Sequence, residues 1–364
     1  MTTWPDLPPG SRARPSRTSS ARLRLLQAPA EARVVALPGA RLELADALER
    51  YQAWPPPVVI VADGPYGVAG YPGDPRSPAD LAGWYEPHVA RWAARAQPAT
   101  TLWLWCTEVG WAGVHPVLDR HGWEYRALHV WDKGIAHVAG NVNGATIRGY
   151  PIVTEVCAQY TRRVLLRVPD GRLLPMRRWL REEWRRSGLP LRRANDACGV
   201  RDAATRKYFA QDQVWYFPPP EMLERLARYA ARHGAPTSWP YFSLDGRTPV
   251  TAERWTGMRA KWHHAHGVTN VWRHGAVRGA ERVRGAGARV LHANQKPLAL
   301  MERIVTASSD PGDVVWEPFA GLASATIAAA RTGRDAYAAE IDPRCWAVAA
   351  RRLEQALGGS ARTR

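Results

Sequence analysis

Val58-Val59-Ile60-Val61-Ala62 runs directly into Asp63-Gly64-Pro65-Tyr66. The first five residues carry no polar side chain, and most are β-branched. Such a run belongs in the middle of a parallel sheet, where both faces are covered. Asp63 to Tyr66 then fall at the strand's carboxyl end, where open α/β sheets bind their ligands. Asp63 and the Gly64 carbonyl can each accept a hydrogen from an exocyclic amino group. Tyr66 offers a ring on which the flat base carrying that amino group can stack. Pro65 fixes the turn. Taken alone, the same four residues also suit an ordinary turn.

A second segment narrows the choice. Asn294-Gln295-Lys296-Pro297-Leu298 precedes Ser308-Ser309-Asp310-Pro311-Gly312-Asp313. Then come a strand, Val314-Val315-Trp316, and the turn Glu317-Pro318-Phe319-Ala320-Gly321. A helix of small residues runs from Ser324 to about Ala330. A second strand, Ala336 to Ala339, ends in Glu340-Ile341-Asp342-Pro343. This is a βαβ unit with a carboxylate closing each strand. It lacks the Gly-x-Gly-x-x-Gly turn that cradles a pyrophosphate, so a dinucleotide is a poor fit.

Together the two segments resemble the β-class amino-DNA methyltransferases, which carry a DPPY-type motif, a QKP and a DPFxGSGTT turn. The resemblance covers about Arg33–Thr161 and Asn294–Leu357. It implies a Rossmann-like α/β fold with a mixed, mostly parallel sheet and a circularly permuted motif order. The target-base half comes first and the half for S-adenosylmethionine (SAM) last. It implies transfer of a methyl group from SAM to an amino group of a flipped base, adenine N6 before cytosine N4. By the same resemblance Asp63, Gly64, Pro65 and Tyr66 are catalytic. Glu317 faces the methionine ammonium, and Pro318, Phe319, Ala320, Gly321 and Ser324 form the cofactor turn. Glu340, followed by Asp342, takes the ribose. Asp46, in Leu44-Ala45-Asp46-Ala47-Leu48, approaches the adenine, and Lys296 closes the pocket. Two positions depart from the family: Gly64 replaces a proline, and Leu322-Ala323-Ser324 replaces SGT. Glu317 and Asp46 are also placed to act as helix caps.

Between the halves lies an insertion, residues 162–290. Net charge of the chain is +17, and residues 161–290 hold 26 Arg and Lys against 11 Asp and Glu, a net of +15. That localisation suits phosphate contacts. The insertion is expected to be a mainly helical target-recognition domain for double-stranded DNA. Met176 to Arg186 reads as a basic amphipathic helix. Ala194–Cys198, the turn Gly199-Val200 and Arg201–Ala210 resemble a helix-turn-helix, with Arg201, Thr205, Arg206 and Lys207 on the recognition helix. Arg76, with Tyr71, sits in a Gly/Pro-rich loop placed to touch the substrate. Most of the 18 tryptophans are expected in cores.

The chain thus divides into a basic tail (1–30), a target-base half (31–161), the insertion (162–290), the SAM half (291–358) and a short tail (359–364). The tails read as disordered. Cys106, Cys157, Cys198 and Cys345 show no paired spacing, so neither zinc nor disulfides are expected. His263, His264 and His266 read as a polar surface loop rather than a metal site. No apolar stretch is long enough to span a membrane. A cytoplasmic, bacterial or phage-encoded enzyme fits, as a monomer or homodimer, with room for a cognate restriction endonuclease acting separately. Rival readings are an RNA or protein methyltransferase, and a DNA-binding protein with an inactive methyltransferase fold.

Overall fold

A computed structural model describes residues 33–68, 73–138, 149–210, 215–284 and 294–358. The expected disordered tails and Tyr71 lie outside the described residues. Eleven strands are formed among those described: β1 (Val34–Leu37), β2 (Ala40–Leu44), β3 (Val59–Ala62), β4 (Thr101–Cys106), β5 (Trp123–Asp132), β6 (Thr154–Arg162), β7 (Leu165–Arg167), β8 (Leu173–Pro175), β9 (Val271–Arg273), β10 (Val314–Glu317) and β11 (Asp335–Glu340). Nine of them make one sheet in the order β1-β2-β11-β10-β3-β4-β6-β5-β9, and β7 and β8 pair separately. β2, β11, β10, β3 and β4 run parallel. β6 is antiparallel to both its neighbours, and β1 is antiparallel to β2. The sheet is therefore mixed and mostly parallel, as in Rossmann-like α/β folds.

Every residue of β3 and β4 is buried. That is the burial expected of continuous apolar runs covered on both faces. The helices α1 (Leu81–Arg95), α2 (Glu108–Arg120), α3 (Met176–Arg186), α4 (Arg193–Cys198), α5 (Pro220–His233), α6 (Ala252–Thr256), α7 (Leu298–Ser308), α8 (Ser324–Arg331) and α9 (Pro343–Gly358) complete the description. α1 and α7 pack in the main core with β3, β4 and β10. α9 covers a smaller cluster with Leu42, Ile327 and Ala338. The middle of the sheet joins chain ends: β3 and β10 are neighbours, though they lie at opposite ends of the sequence. From β10 the chain crosses through α8 to β11 on one side. From β3 it crosses through α1 to β4 on the other. The switch point therefore falls between β3 and β10, where such sheets open a crevice.

α2 starts at Glu108 because the Thr107 side chain accepts from the Gly110 N–H and caps it. Two expectations are corrected. Arg201–Ala210 is not a helix along its length; only Ala204–Tyr208 winds, as a single π-type turn. The preceding α4 and the left-handed Gly199 are as expected, but no full recognition helix comes after them. The insertion is also shorter as a packed unit than 162–290. Its separate core gathers residues between Val164 and Met258, around Trp179, Trp184, Leu226 and Trp255. Beyond it the chain returns to the main sheet, where β9 pairs with β5 and Trp272 joins the main core.

Candidate active site

Four parallel strands deliver their carboxyl ends to one cavity of about 430 Å³. β2 leads into Asp46, β3 into Asp63 to Tyr66, β10 into Pro318, Phe319 and Gly321, and β11 into Glu340 and Asp342, all of which line it. The two halves read from the sequence thus face each other across the switch point.

On the target-base side, Asp63 Oδ1 receives the Lys296 ammonium at 2.8 Å and lies 3.0 Å from the Tyr66 hydroxyl. Lys296 also donates to Tyr66 Oη at 2.9 Å and to the Asn294 carbonyl at 3.2 Å, and pairs with Glu155 Oε2 at 3.2 Å. Lys133 pairs with the other oxygen of Glu155. Tyr66 has one hydrogen to give and two carboxylates within reach, Asp63 and Glu155 at 3.3 Å. Burial pushes the Asp63 carboxyl up, against the opposing pull of Lys296. Glu155 is held below the usual range: burial would raise it, but Lys296 and Lys133 together outweigh that. Lys296 stays firmly protonated, its pKa raised by Asp63 and Glu155 despite desolvation. Asp63 Oδ2 and the Gly64 carbonyl take no hydrogen bond among the described residues. They are the two acceptors that the resemblance assigns to the amino group.

Glycine at position 64 has a packing reason. A Cβ there would lie 2.6 Å from the Tyr85 hydroxyl and 2.7 Å from the Phe319 ring. Tyr85 in turn donates to the Pro65 carbonyl at 3.2 Å. The turn is held by a neighbouring side chain instead of a second proline.

On the opposite wall, Glu340 accepts from the Gly321 and Asp342 N–H groups, each at 2.7 Å. Burial nevertheless pushes its pKa up to about 7. Trp84, His88 and Phe319 form an aromatic flank, with Trp84 stacked on His88 at 4.6 Å. Asp46 caps the short turn Ala47–Glu49 through Leu48 N–H and still lines the cavity. Ala323, at the glycine of the family's SGT, holds a left-handed backbone with φ 58°.

Several predicted residues stand behind the wall rather than in it. Glu317 is buried, and its oxygens accept from Ala325 N–H, Thr326 N–H and Thr326 Oγ1 at 2.6–2.9 Å. It caps α8, and burial pushes its pKa up to about 7. Ser324 accepts from Arg352 at 3.0 Å. Ala320 is buried and Lys296 sits deep in the carboxylate cluster, so neither Ala320 nor Lys296 lines the cavity. Arg76 is exposed and outside the lining. Arg201 is exposed, Thr205 is held by Asn195 and by the Asp202 carbonyl, Arg206 pairs with Asp202, and Lys207 lies over Tyr216. None of these four approaches the cavity. Sequence reasoning missed Lys133 and Glu155 as members of the site. The signal was there: Lys133 is one of few lysines, and Glu155 is the lone carboxylate of a largely buried strand.

The His263 loop does meet a carboxylate, Asp310 at 2.9 Å. No group of three metal-ligating side chains occurs among the described residues. All four cysteines are free and buried. No described helix is long and apolar enough to cross a membrane.

Residues 203–351 match the family model described as DNA methylase, of the N6/N4 type. The chain is 43% identical over 70 residues to DNA adenine methyltransferase YhdJ of Escherichia coli (strain K12), covering 19% of this chain and 24% of that protein. It is 38% identical over 65 residues to type II methyltransferase M1.MboII of Moraxella bovis, covering 18% of this chain and 25% of that protein. The chain spans about a quarter of the length of these curated relatives. The solved M1.HpyAVI–SAM complex aligns with TM-score 0.48 and 14% identity, over 86% of this chain and 98% of that one. Over these matched stretches the chain is similar in sequence to N6/N4-type DNA methylases.

Proposed function

We propose that the protein transfers a methyl group from SAM to the exocyclic amino group of a base flipped out of double-stranded DNA, with adenine N6 the preferred acceptor. The observation that carries this reading is the shared cavity with Asp63 to Tyr66 on one wall and Phe319, Gly321 and Glu340 on the other. The donor set fits SAM. Acidic acceptors and aromatic rings line the cavity, in keeping with a ligand that bears a ribose diol, an ammonium and an adenine but no phosphate. Glu340, Asp46 and Asp342 would hold its polar groups, and Phe319 and Trp84 its flat ones. SAM supplies the electrophilic methyl group.

The chain's own residues prepare the nucleophile. An amino group on a base is weak because its lone pair is delocalised into the ring. Asp63 Oδ2 and the Gly64 carbonyl accept its two hydrogens and favour a pyramidal nitrogen with its lone pair directed at the methyl carbon. This is positioning and electrostatic work. Lys296 fixes Asp63 by its other oxygen. After transfer, the nitrogen carries a positive charge and loses one proton; Asp63, with its raised pKa, is the nearest acceptor. Tyr66 stacks on the base, and extrusion from the duplex brings the base within reach. The proposed role of Lys296 is thus to position Asp63, and that of Glu317 to hold the cofactor turn by capping α8.

Duplex DNA incubated with the protein and isotopically methyl-labelled SAM, then digested to nucleosides, tests this. Labelled N6-methyl-2′-deoxyadenosine in the digest supports the reading. Labelled N4-methyl-2′-deoxycytidine would move the acceptor, and no labelled nucleoside would reject the activity.

A further inference from the structure

A second concave surface lies at the other end of the sheet. β6 pairs Val156 with Cys106 at the cavity end and Thr161 with Thr101 at the far end. From Glu155 to Arg162 the strand covers about 23 Å at ~3.3 Å per residue. At the far end two cavities adjoin. One, of about 590 Å³, lies between the sheet and the inserted unit and is lined by Arg126, Arg162, Arg163, Arg177, Arg259 and Lys261. The other, of about 500 Å³, is lined by Trp103, His129, Trp262 and Trp272. Trp262 belongs to both and is 50% exposed.

The aromatic cavity is built of flat walls. Trp262 lies near-parallel to Trp103, with centroids 6.4 Å apart, and His129 stacks on Trp272 at 4.8 Å. His129 Nε2 is 3.4 Å from Gln159 Oε1, while its buried Nδ1 has no partner among the described residues. With Nε2 donating to Gln159, Nδ1 is an unused acceptor beside the slot. In the neighbouring groove some charges are already balanced: Lys261 by Asp310 and Asp313, Arg163 by Asp119, Arg126 by Glu124. Arg162 and Arg259 have no carboxylate partner among the described residues. Arg162 donates to the His121 and Gly122 carbonyls, and Arg259 lies exposed over the Phe217 ring at 5.0 Å.

An exposed ring, Trp262, beside guanidinium groups without carboxylate partners suits a strand whose bases are free to stack and whose phosphates need neutralising. A duplex keeps its base faces stacked inside, so it offers such a ring nothing to stack on. We infer that this far surface binds a single-stranded nucleic-acid segment, with a base in the slot at Trp262 and the adjoining phosphates against Arg259 and Arg162. The inference is independent of methyl transfer, since the site is separated from Asp63 by the length of the sheet.

Fluorescence anisotropy of the full chain tests it, with a labelled mixed-sequence single-stranded DNA of about 15 nucleotides, near the upper end of known site sizes, and its duplex as comparison. Trp262→Ala should weaken single-strand binding by roughly tenfold or more, as loss of one stacking ring does elsewhere. Trp262→Phe should retain most of it. Arg259→Ala should flatten the log–log salt dependence by about 0.7, the value for one phosphate on a single strand, and Arg259→Lys should restore it. Asp63→Ala should leave single-strand binding unchanged, so failure of the methyl-transfer reading cannot be mistaken for failure here. The inference is overturned if the wild-type protein does not bind the single strand. It is equally overturned if Trp262→Ala and Arg259→Ala bind it normally, or if both lose the duplex instead.

Discussion

Lys296→Met is the sharpest test of how the site is held. The ammonium is buried at 1% exposure and touches Asp63, Tyr66, Glu155 and the Asn294 carbonyl. Methionine keeps most of the volume and removes the charge. Asp63 is then left with Tyr66 alone, while Glu155 keeps Lys133. Stranding one partner of a buried ion pair costs about 3–5 kcal/mol. Because Lys133 still serves Glu155, the loss should lie near ~3 kcal/mol at pH 8. It should also depend on pH. Asp63 is already raised by burial, and losing Lys296 raises it further above its unfolded value. A carboxyl with a raised folded-state pKa gives its stability below the unfolded pKa and loses it as pH rises through the folded one. The gap between wild type and variant should therefore be small at pH 5 and wide at pH 8. Urea unfolding followed by tryptophan fluorescence at both pH values measures it. Adding Asp63→Asn to Lys296→Met should recover part of the loss at pH 8, because the stranded carboxylate is gone, whereas Glu155→Gln should not, because it would leave Lys133 unpaired. A gap below about 1 kcal/mol at pH 8, well short of the range for a broken buried pair, or a gap wider at pH 5, would refute the reasoning.

The same geometry sets other outcomes. Asp63→Ala should keep SAM affinity, by calorimetry, and lose about 10²–10³ in methylation rate, the usual cost of one transition-state hydrogen-bonding group. Glu340→Ala should weaken SAM binding by about 1.5–3 kcal/mol, the range for hydrogen bonds to a charged group. Burial pushes the Glu340 pKa up to about 7, and on the proposed reading its ionised form is the one that would accept from both ribose hydroxyls. SAM affinity should therefore fall as pH drops from 8 to 6, with proton release on binding seen as a buffer-dependent heat. Gly64→Ala should cost about 1–3 kcal/mol in thermal or urea stability, the typical penalty of overpacking, because its methyl would meet Tyr85 and Phe319; full stability would remove the close-approach explanation.

The central strands and the carboxyl-end motifs were legible in the linear chain. These are local signals: β-branched runs, turn residues and small-residue helices declare themselves within a dozen positions. Asp63 and Glu340 could be named because each ends a legible strand. Which named residues share a cavity was settled only by the folded arrangement. Glu317 turned inward to cap α8, since the first N–H groups of that helix lie closer to its carboxylate than the cavity does. Lys296 reached Asp63 across 233 positions of sequence, and Lys133 and Glu155 joined it from other strands. No spacing rule carries such contacts, because they depend on which strands become neighbours. The insertion shows the same division. Its basic composition was plain in the sequence, but its place was fixed by β6, an antiparallel strand that carries the chain from the Asp63 end of the sheet to the opposite end before the insertion begins.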